Sequence, residues 1–439
     1  MAKRRFLSGL LAAAFITAAA PPASFAQTAP AQQTAPVATV KKNVDVASMT
    51  EWRHDFHQHP ETAFEEVRTA GKINELLTAR GIEVHTNVGK TGVVGVLKGN
   101  NTGPGSPSIA LRADIDALPI TETATLPYAS QTPGKSHACG HDGHTAMLLG
   151  AAKYLAETKN FSGTVYFIFQ PAEERGSGAQ AMIDDGMFNW VHADAIYGMH
   201  DWPGLQAGKI AVSEGAITSN TDEFHIRIIG KGGHAAYPAD NIDVIQLGSD
   251  IVTALHQFKD KNIPAEEGAV LAVTMFNGGE AFNAMPTNVA LAGTVRTFSG
   301  LSQDKIEQAV KDISARVAAS YGAKVEVDYS RDAAAVVNRH DEVVNAQNAA
   351  GDVVGSSNVV GFSRTMAGED FSAFTKYTPG AYVALGQWDG KSPKIQLHTP
   401  NFNFNDATLE TGATYWVDLV ERQLPAKPAA KPAAPGTAP

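Results

Sequence analysis

Thr164-Val165-Tyr166-Phe167-Ile168-Phe169-Gln170-Pro171-Ala172-Glu173-Glu174 is a short apolar run, closed by a proline and followed at once by two carboxylates. Its β-branched and aromatic residues read as a buried strand, and the proline ends it. Two further runs repeat the pattern. Ile109 to Arg112 leads into Ala113-Asp114-Ile115-Asp116-Ala117-Leu118-Pro119, and Ala193 to Met199 leads directly to His200. Helical stretches at 65–80, 142–158 and 179–185 alternate with these strands. In an alternating α/β sheet the ligand crevice lies outside the carboxyl ends of the strands. Three polar clusters at three such ends therefore predict one shared site.

The stretch Ser136-His137-Ala138-Cys139-Gly140-His141-Asp142-Gly143-His144 leads into the helix at 142–158. It gathers three of the chain's 14 histidines and its 1 cysteine. A lone thiol has no intramolecular disulfide partner, so Cys139 is a packed small hydrophobe, a nucleophile or a metal ligand. Cys139 and His141 stand at i and i+2 across a glycine, where thiolate and imidazole can converge on one ion. That spacing gives no evident nucleophile–base pair, which counts against a cysteine-protease reading. Glu173 and Glu174 suit a division of labour. Neighbouring side chains on extended backbone point apart, so one can hold an ion while the other faces a water. Alone, such a pair would read as solvated carboxylates. His200 and His398 each end an apolar run, which favours ligation. His54, His57, His59, His85, His192, His225, His256 and His340 read as surface or packing residues. His137 and His144 read as supports for a neighbouring ligand, as helix caps or as ligands themselves.

From Ser219 the texture changes. Phe224, Ile226 and Ile228 alternate with His225 and Arg227, as in a sheet with one wet face. The order strand–helix–strand–strand–helix–strand up to Ser330 predicts a ferredoxin-like sandwich inserted at 219–330. It splits a larger domain into 43–218 and 331–423. At the start, Lys3, Arg4 and Arg5, the apolar run Leu7 to Ala20 and Ser24-Phe25-Ala26 form a signal peptide over 1–26, which implies export to the periplasm or beyond. Residues 27–42 and 424–439 are rich in Ala, Pro, Gln and Thr and are expected to be disordered. Cleavage after Ala26 takes the formal charge from −10 to about −13, which argues against nucleic acid and membrane surface as partners.

Six runs together (Leu111 to Pro119, His137 to His144, Gln170 to Glu174, Gly198 to His200, Gly230 to Pro238, Leu397 to Pro400) resemble the binuclear metallohydrolase family of hippurate hydrolases and aminoacylases. The subgroup of indole-acetyl-amino-acid hydrolases and N-acyl-amino-acid carboxypeptidases is the most similar. The resemblance implies a three-layer α/β domain with a mixed sheet and a smaller lid. It implies two divalent metal ions, zinc or manganese, held by Cys139, His141, Glu174, His200 and His398. Glu173 would be the general base, and Asp116 would orient an imidazole. His234 would reach from the lid to the scissile carbonyl, in this family often across a dimer interface. Asn288 is a candidate oxyanion donor and Arg296 a candidate for the substrate carboxylate. The expected reaction is hydrolysis of N-acyl amino acids by a homodimer or higher homo-oligomer. A dipeptidase or aminopeptidase acting on short peptides is the rival enzyme, and a non-catalytic metal-binding protein the rival outside catalysis.

Overall fold

The computed structural model describes residues 41–426. The expected signal segment, the linker as far as residue 40 and the tail from 427 lie outside the described residues. Six strands form the body of the main sheet: β1 (Glu83–Val88), β2 (Gly92–Lys98), β3 (Ser108–Asp114), β4 (Thr164–Gln170), β5 (Ala195–Gln206) and, after the insertion, β10 (Gly380–Trp388). Their order is β1-β2-β4-β3-β5-β10, with the short strands Ile210–Ala211 and Val359–Val360 at the far edge. β3 runs parallel to β4 and β5, and β5 parallel to β10, whereas β1 and β2 are antiparallel additions. The central strands are apolar on both faces, as strands with helices on both sides must be.

One face is covered by α1 (Val46–Gln58), α2 (Val67–Thr78), α3 (His141–Thr158) and, late in the chain, α7 (His340–Val354) and α8 (Leu409–Gln423). Phe167 and Phe169 pack here with Leu148, Ala152 and Trp416. The opposite face carries Tyr166 and Ile168 against Met182 of α4 (Gly178–Asp184) and Phe371 and Phe374. Three layers result, as expected. Two boundaries differ from the sequence reading. β5 continues past His200 to Gln206 and pairs with Trp388, so His200 lies within a strand rather than beyond its end. Leu424, assigned to a disordered tail, is fully buried, and its carbonyl accepts the Ser162 amide. One apolar side chain with a place in the core outweighs the polar composition that follows it.

The insertion has its own sheet, β6 (Asn220–Ile229), β7 (Val270–Asn277), β8 (Asn288–Thr297) and β9 (Lys324–Ala333), in the order β7-β8-β6-β9 and antiparallel throughout. Taken as first to fourth strand, that is the ferredoxin-like order. α5 (Val244–Asn262) and α6 (Gly300–Ser320) cover one face and close a separate core around Phe224, Ile226, Leu247, Ile251, Val310 and Ile313.

Candidate active site

The crevice is built where α3 begins. Gly140 caps α3 at φ 87°, and a Cβ there would lie 2.2 Å from Asp201 Oδ1. Only glycine permits both that conformation and that approach. The turn sends Cys139 and His141 toward the same space. Cys139 Sγ lies 3.4 Å from His200 Nε2 and 3.3 Å from His398 Nε2. His398 Nε2 is 3.3 Å from Glu174 Oε1, which is 3.9 Å from His141 Nε2. The five side chains named from the sequence thus converge from α3, the turn after β4, β5 and the loop before α8. His398, at φ 61°, is anchored by its amide, which donates to the Ala138 carbonyl at 2.8 Å.

Backbone carbonyls aim the two buried imidazoles. His141 Nδ1 donates to the Asp116 carbonyl (2.9 Å) and His200 Nδ1 to that of Asp201 (2.6 Å). Both Nε2 lone pairs are thereby turned inward, the tautomer a metal ligand needs. Asp116 orients His141 mainly through this carbonyl; its carboxylate is 3.3 Å from the same nitrogen. That carboxylate instead accepts the amides of Glu173 and Glu174, each at 3.1 Å.

Two polar atoms in this cluster, His141 Nε2 and Glu174 Oε1, are buried without a hydrogen-bond partner. Buried polar atoms are rarely left so. Cys139, His141 and His200 form one group whose donor atoms lie within 4.8 Å of one another, and Cys139, Glu174 and His398 a second. Thiolate, imidazole and carboxylate in overlapping groups suit divalent cations of borderline softness. The residues present fit such ions.

Glu173 is only partly exposed. Burial, then the Glu369, Asp370 and Glu174 carboxylates, push its pKa well above the usual carboxylate range. A carboxyl group so placed holds a proton more readily than a solvated one, which suits a proton acceptor. Glu369 and Asp370 are held in turn by Arg112, whose guanidinium is fully buried and lies 3.0 and 3.2 Å from them and 2.7 Å from Asp114.

Comparison with known proteins agrees with this geometry. Residues 110–422 match the sequence profile of peptidase family M20/M25/M40. The chain is 37% identical over 369 residues to an N-acetylcysteine deacetylase of Bacillus subtilis, covering 84% of this chain and 94% of that one. It is 36% identical over 373 residues to a hippurate hydrolase of Campylobacter jejuni, covering 85% and 95%. The chain belongs to the M20/M25/M40 peptidase family. Its fold matches the crystal structure of a dinuclear metal-binding M20 peptidase from Bacillus subtilis, with a TM-score of 0.76 and 34% identity over 87% of this chain and 99% of that one. A putative aminohydrolase from methicillin-resistant Staphylococcus aureus matches at a TM-score of 0.82 with 32% identity, covering 86% and 97%.

In this M20 chain the three lid candidates make their described side-chain hydrogen bonds within the lid rather than to the five donors. His234 is exposed on a two-stranded ribbon, Gly233–His234 against Ala284–Met285, and its Nδ1 accepts the amide of Ala236. Asn288 starts β8 opposite Ile229, exposed, with its side chain donating to Thr287. Arg296, at the other end of β8, pairs with Thr221 and donates to Thr294 and the Val295 carbonyl. Eight residues of strand hold Asn288 and Arg296 about 26 Å apart. Within one chain they cannot both grip one small substrate.

Among the polar residues around the M20 site, His144 has the supporting role expected of it, whereas His57 and Arg53 were not given one from the sequence. His144 accepts the Asp201 amide (2.9 Å) and faces Asp114 (2.6 Å), so both its nitrogens are used in support. His57, read as surface or packing, is fully buried between Asp142 (2.7 Å) and Glu122 (3.1 Å). Arg53 stands four residues before it on α1, also fully buried, 2.9 Å from the same Asp142 oxygen. The signal was a polar pair at helical spacing beside Met49, Trp52 and Phe56.

Proposed function

We propose that this M20 chain hydrolyses the amide bond between an acyl group and an amino acid, with Cys139, His141, Glu174, His200 and His398 holding two divalent cations. The observation that carries the reading is the pair of buried atoms without a hydrogen bond, His141 Nε2 and Glu174 Oε1, set among three further donors beside a raised-pKa Glu173. The relatives named N-acetylcysteine deacetylase, hippurate hydrolase and IAA-amino acid hydrolase support the choice of substrate class. Cations bound there supply Lewis acidity, which acidifies water and polarises a carbonyl. Zinc or manganese suits the donor set.

Glu173 takes a proton from the attacking water and delivers it to the departing nitrogen, so the C–N bond breaks to give a carboxylic acid and a free amine. Asp116 keeps the base in register through the Glu173 amide. His234 and Asn288 share the end of the lid sheet away from Thr221, and we assign them as oxyanion donors to the site of a second copy in a homodimer. Arg296, nearer the root, is assigned to the substrate carboxylate. Mixing His234→Ala with Glu173→Gln chains tests the crossing. Regained activity supports it, and a mixture as inactive as its parts refutes it. Export to the periplasm or beyond is proposed from residues 1–26 alone, and a mature chain beginning at Gln27 is the expected result of N-terminal sequencing.

The substrate class is tested by assaying N-acyl amino acids beside the corresponding dipeptides with a free amine. Hydrolysis of the blocked compounds is expected. Activity confined to free-amine peptides would replace this reading with an aminopeptidase one.

A further inference from the structure

The turn that carries Glu173 and Glu174 is unfavourable by itself. Pro171 has no amide hydrogen, and Ala172 sits at φ 51°, a region that residues with a Cβ rarely adopt. Gly178 presses so close that a Cβ there would fall 1.6 Å from the Pro171 carbonyl oxygen. The turn is held by two buried carboxylates that receive three consecutive amides. Asp116 receives those of Glu173 and Glu174. The Ala172 amide donates to Glu66 Oε1 at 3.0 Å, and the same oxygen accepts the Phe64 amide at 3.0 Å. Glu66 Oε2 accepts the Thr91 hydroxyl at 2.5 Å.

Glu66 is fully buried at the start of α2, 106 residues before Ala172, and among the described residues no cation pairs with it. Burial, together with the neighbouring Asp116 charge, pushes its pKa up despite these hydrogen bonds. A buried carboxylate without a counter-charge is costly, so a fold that keeps one needs what its oxygens hold. What they hold is the amide next to the proposed base.

We propose that Glu66 is a positioning residue for amide hydrolysis, fixing Ala172 in its left-handed conformation and thereby setting the Glu173 carboxylate against the attacking water. This rests on the reading of Glu173 as the base. Hydrogen bonds to a charged acceptor are among the stronger ones and are suited to over-determining such a turn. A base misplaced by about 1 Å loses rate on the order of a hundredfold.

The test uses the full, metal-loaded chain carrying Glu66→Ala, Glu66→Gln or Thr91→Val, each alone and combined with Glu173→Gln. Glutamine keeps an oxygen for the Ala172 and Phe64 amides, and its NH2 group can donate to a reoriented Thr91 hydroxyl. Glu66→Ala is expected to lower kcat by about ten- to a hundredfold with KM within about twofold and metal content retained. Glu66→Gln should restore most of the rate, and Thr91→Val should show a smaller loss. Combined with Glu173→Gln, none of the three should lower kcat further, because the group they position is already gone. A folded Glu66→Ala with wild-type kcat, or a full additional loss on top of Glu173→Gln, overturns the proposal. Should Glu66→Ala not fold, Thr91→Val decides by the same two criteria. A Glu173→Gln chain that alone keeps wild-type kcat refutes the base itself, an outcome separate from any result at Glu66.

Discussion

Cys139 shows how one residue's surroundings decide its chemistry. Burial, and then the charge of Glu174, raises its thiol pKa well above the ordinary value, which makes it a poor free nucleophile. The imidazoles of His200 and His398 approach the sulfur from two sides. A bound cation would reverse the balance, since a coordinating thiol is deprotonated outright. Cys139→Ala is therefore expected to lower metal content, measured by elemental analysis, while the chain stays folded. Full occupancy in that variant would remove Cys139 from the donor set. This much was legible in the sequence, because a thiol and an imidazole across one glycine restrict the chemistry by type. His57 and Arg53 were not legible in the same way. Their roles come from Asp142, on a distant element, and only the tertiary fold brings the three together.

At the scale of elements, the site depends on ends rather than on middles. α3 begins at the donor His141, β4 ends just before the base, and Ala172 is forced into the left-handed region between them. The apolar runs announced the strands, and the proline announced the turn. The run past His200 did not announce that β5 continues, because Pro203 and Gly204 read as strand breakers when no neighbour such as Trp388 is in view. α1 offers a separate test. Asp45 caps it, accepting the Ser48 amide at 3.1 Å, and pairs with Lys153 at 2.5 Å. The Lys153 ammonium, with help from Ser48, holds the Asp45 carboxyl well below the usual carboxylate range. A depressed pKa contributes stability that is present above the unfolded value and lost as pH falls through the folded one. Asp45→Ala should thus cost about 1 kcal/mol at neutral pH by thermal or denaturant unfolding. The difference from wild type should shrink below about pH 4. A difference that grows on acidification would contradict this.

On the scale of the whole molecule, the insertion at 219–330 separates His398 from the other four donors in sequence but not in space. The ferredoxin-like order could be read from alternation and helix spacing because each element of that unit packs mainly against its own sheet. Where the lid's side chains act could not be read, since sequence distance along β8 does not reveal which end lies near a site. The structure divides the candidates accordingly, with His234 and Asn288 at one end and Arg296 at the other. What unites both domains is the chemistry assigned to one carboxylate beside five donors. The most direct test is the rate of N-acyl amino acid hydrolysis by Glu173→Gln, loaded to the metal content of the wild type. A loss of about a hundred- to ten-thousandfold at undiminished metal occupancy is expected. A rate within about twofold of wild type would contradict the assignment of Glu173 as the base, because loss of a general base should cost far more.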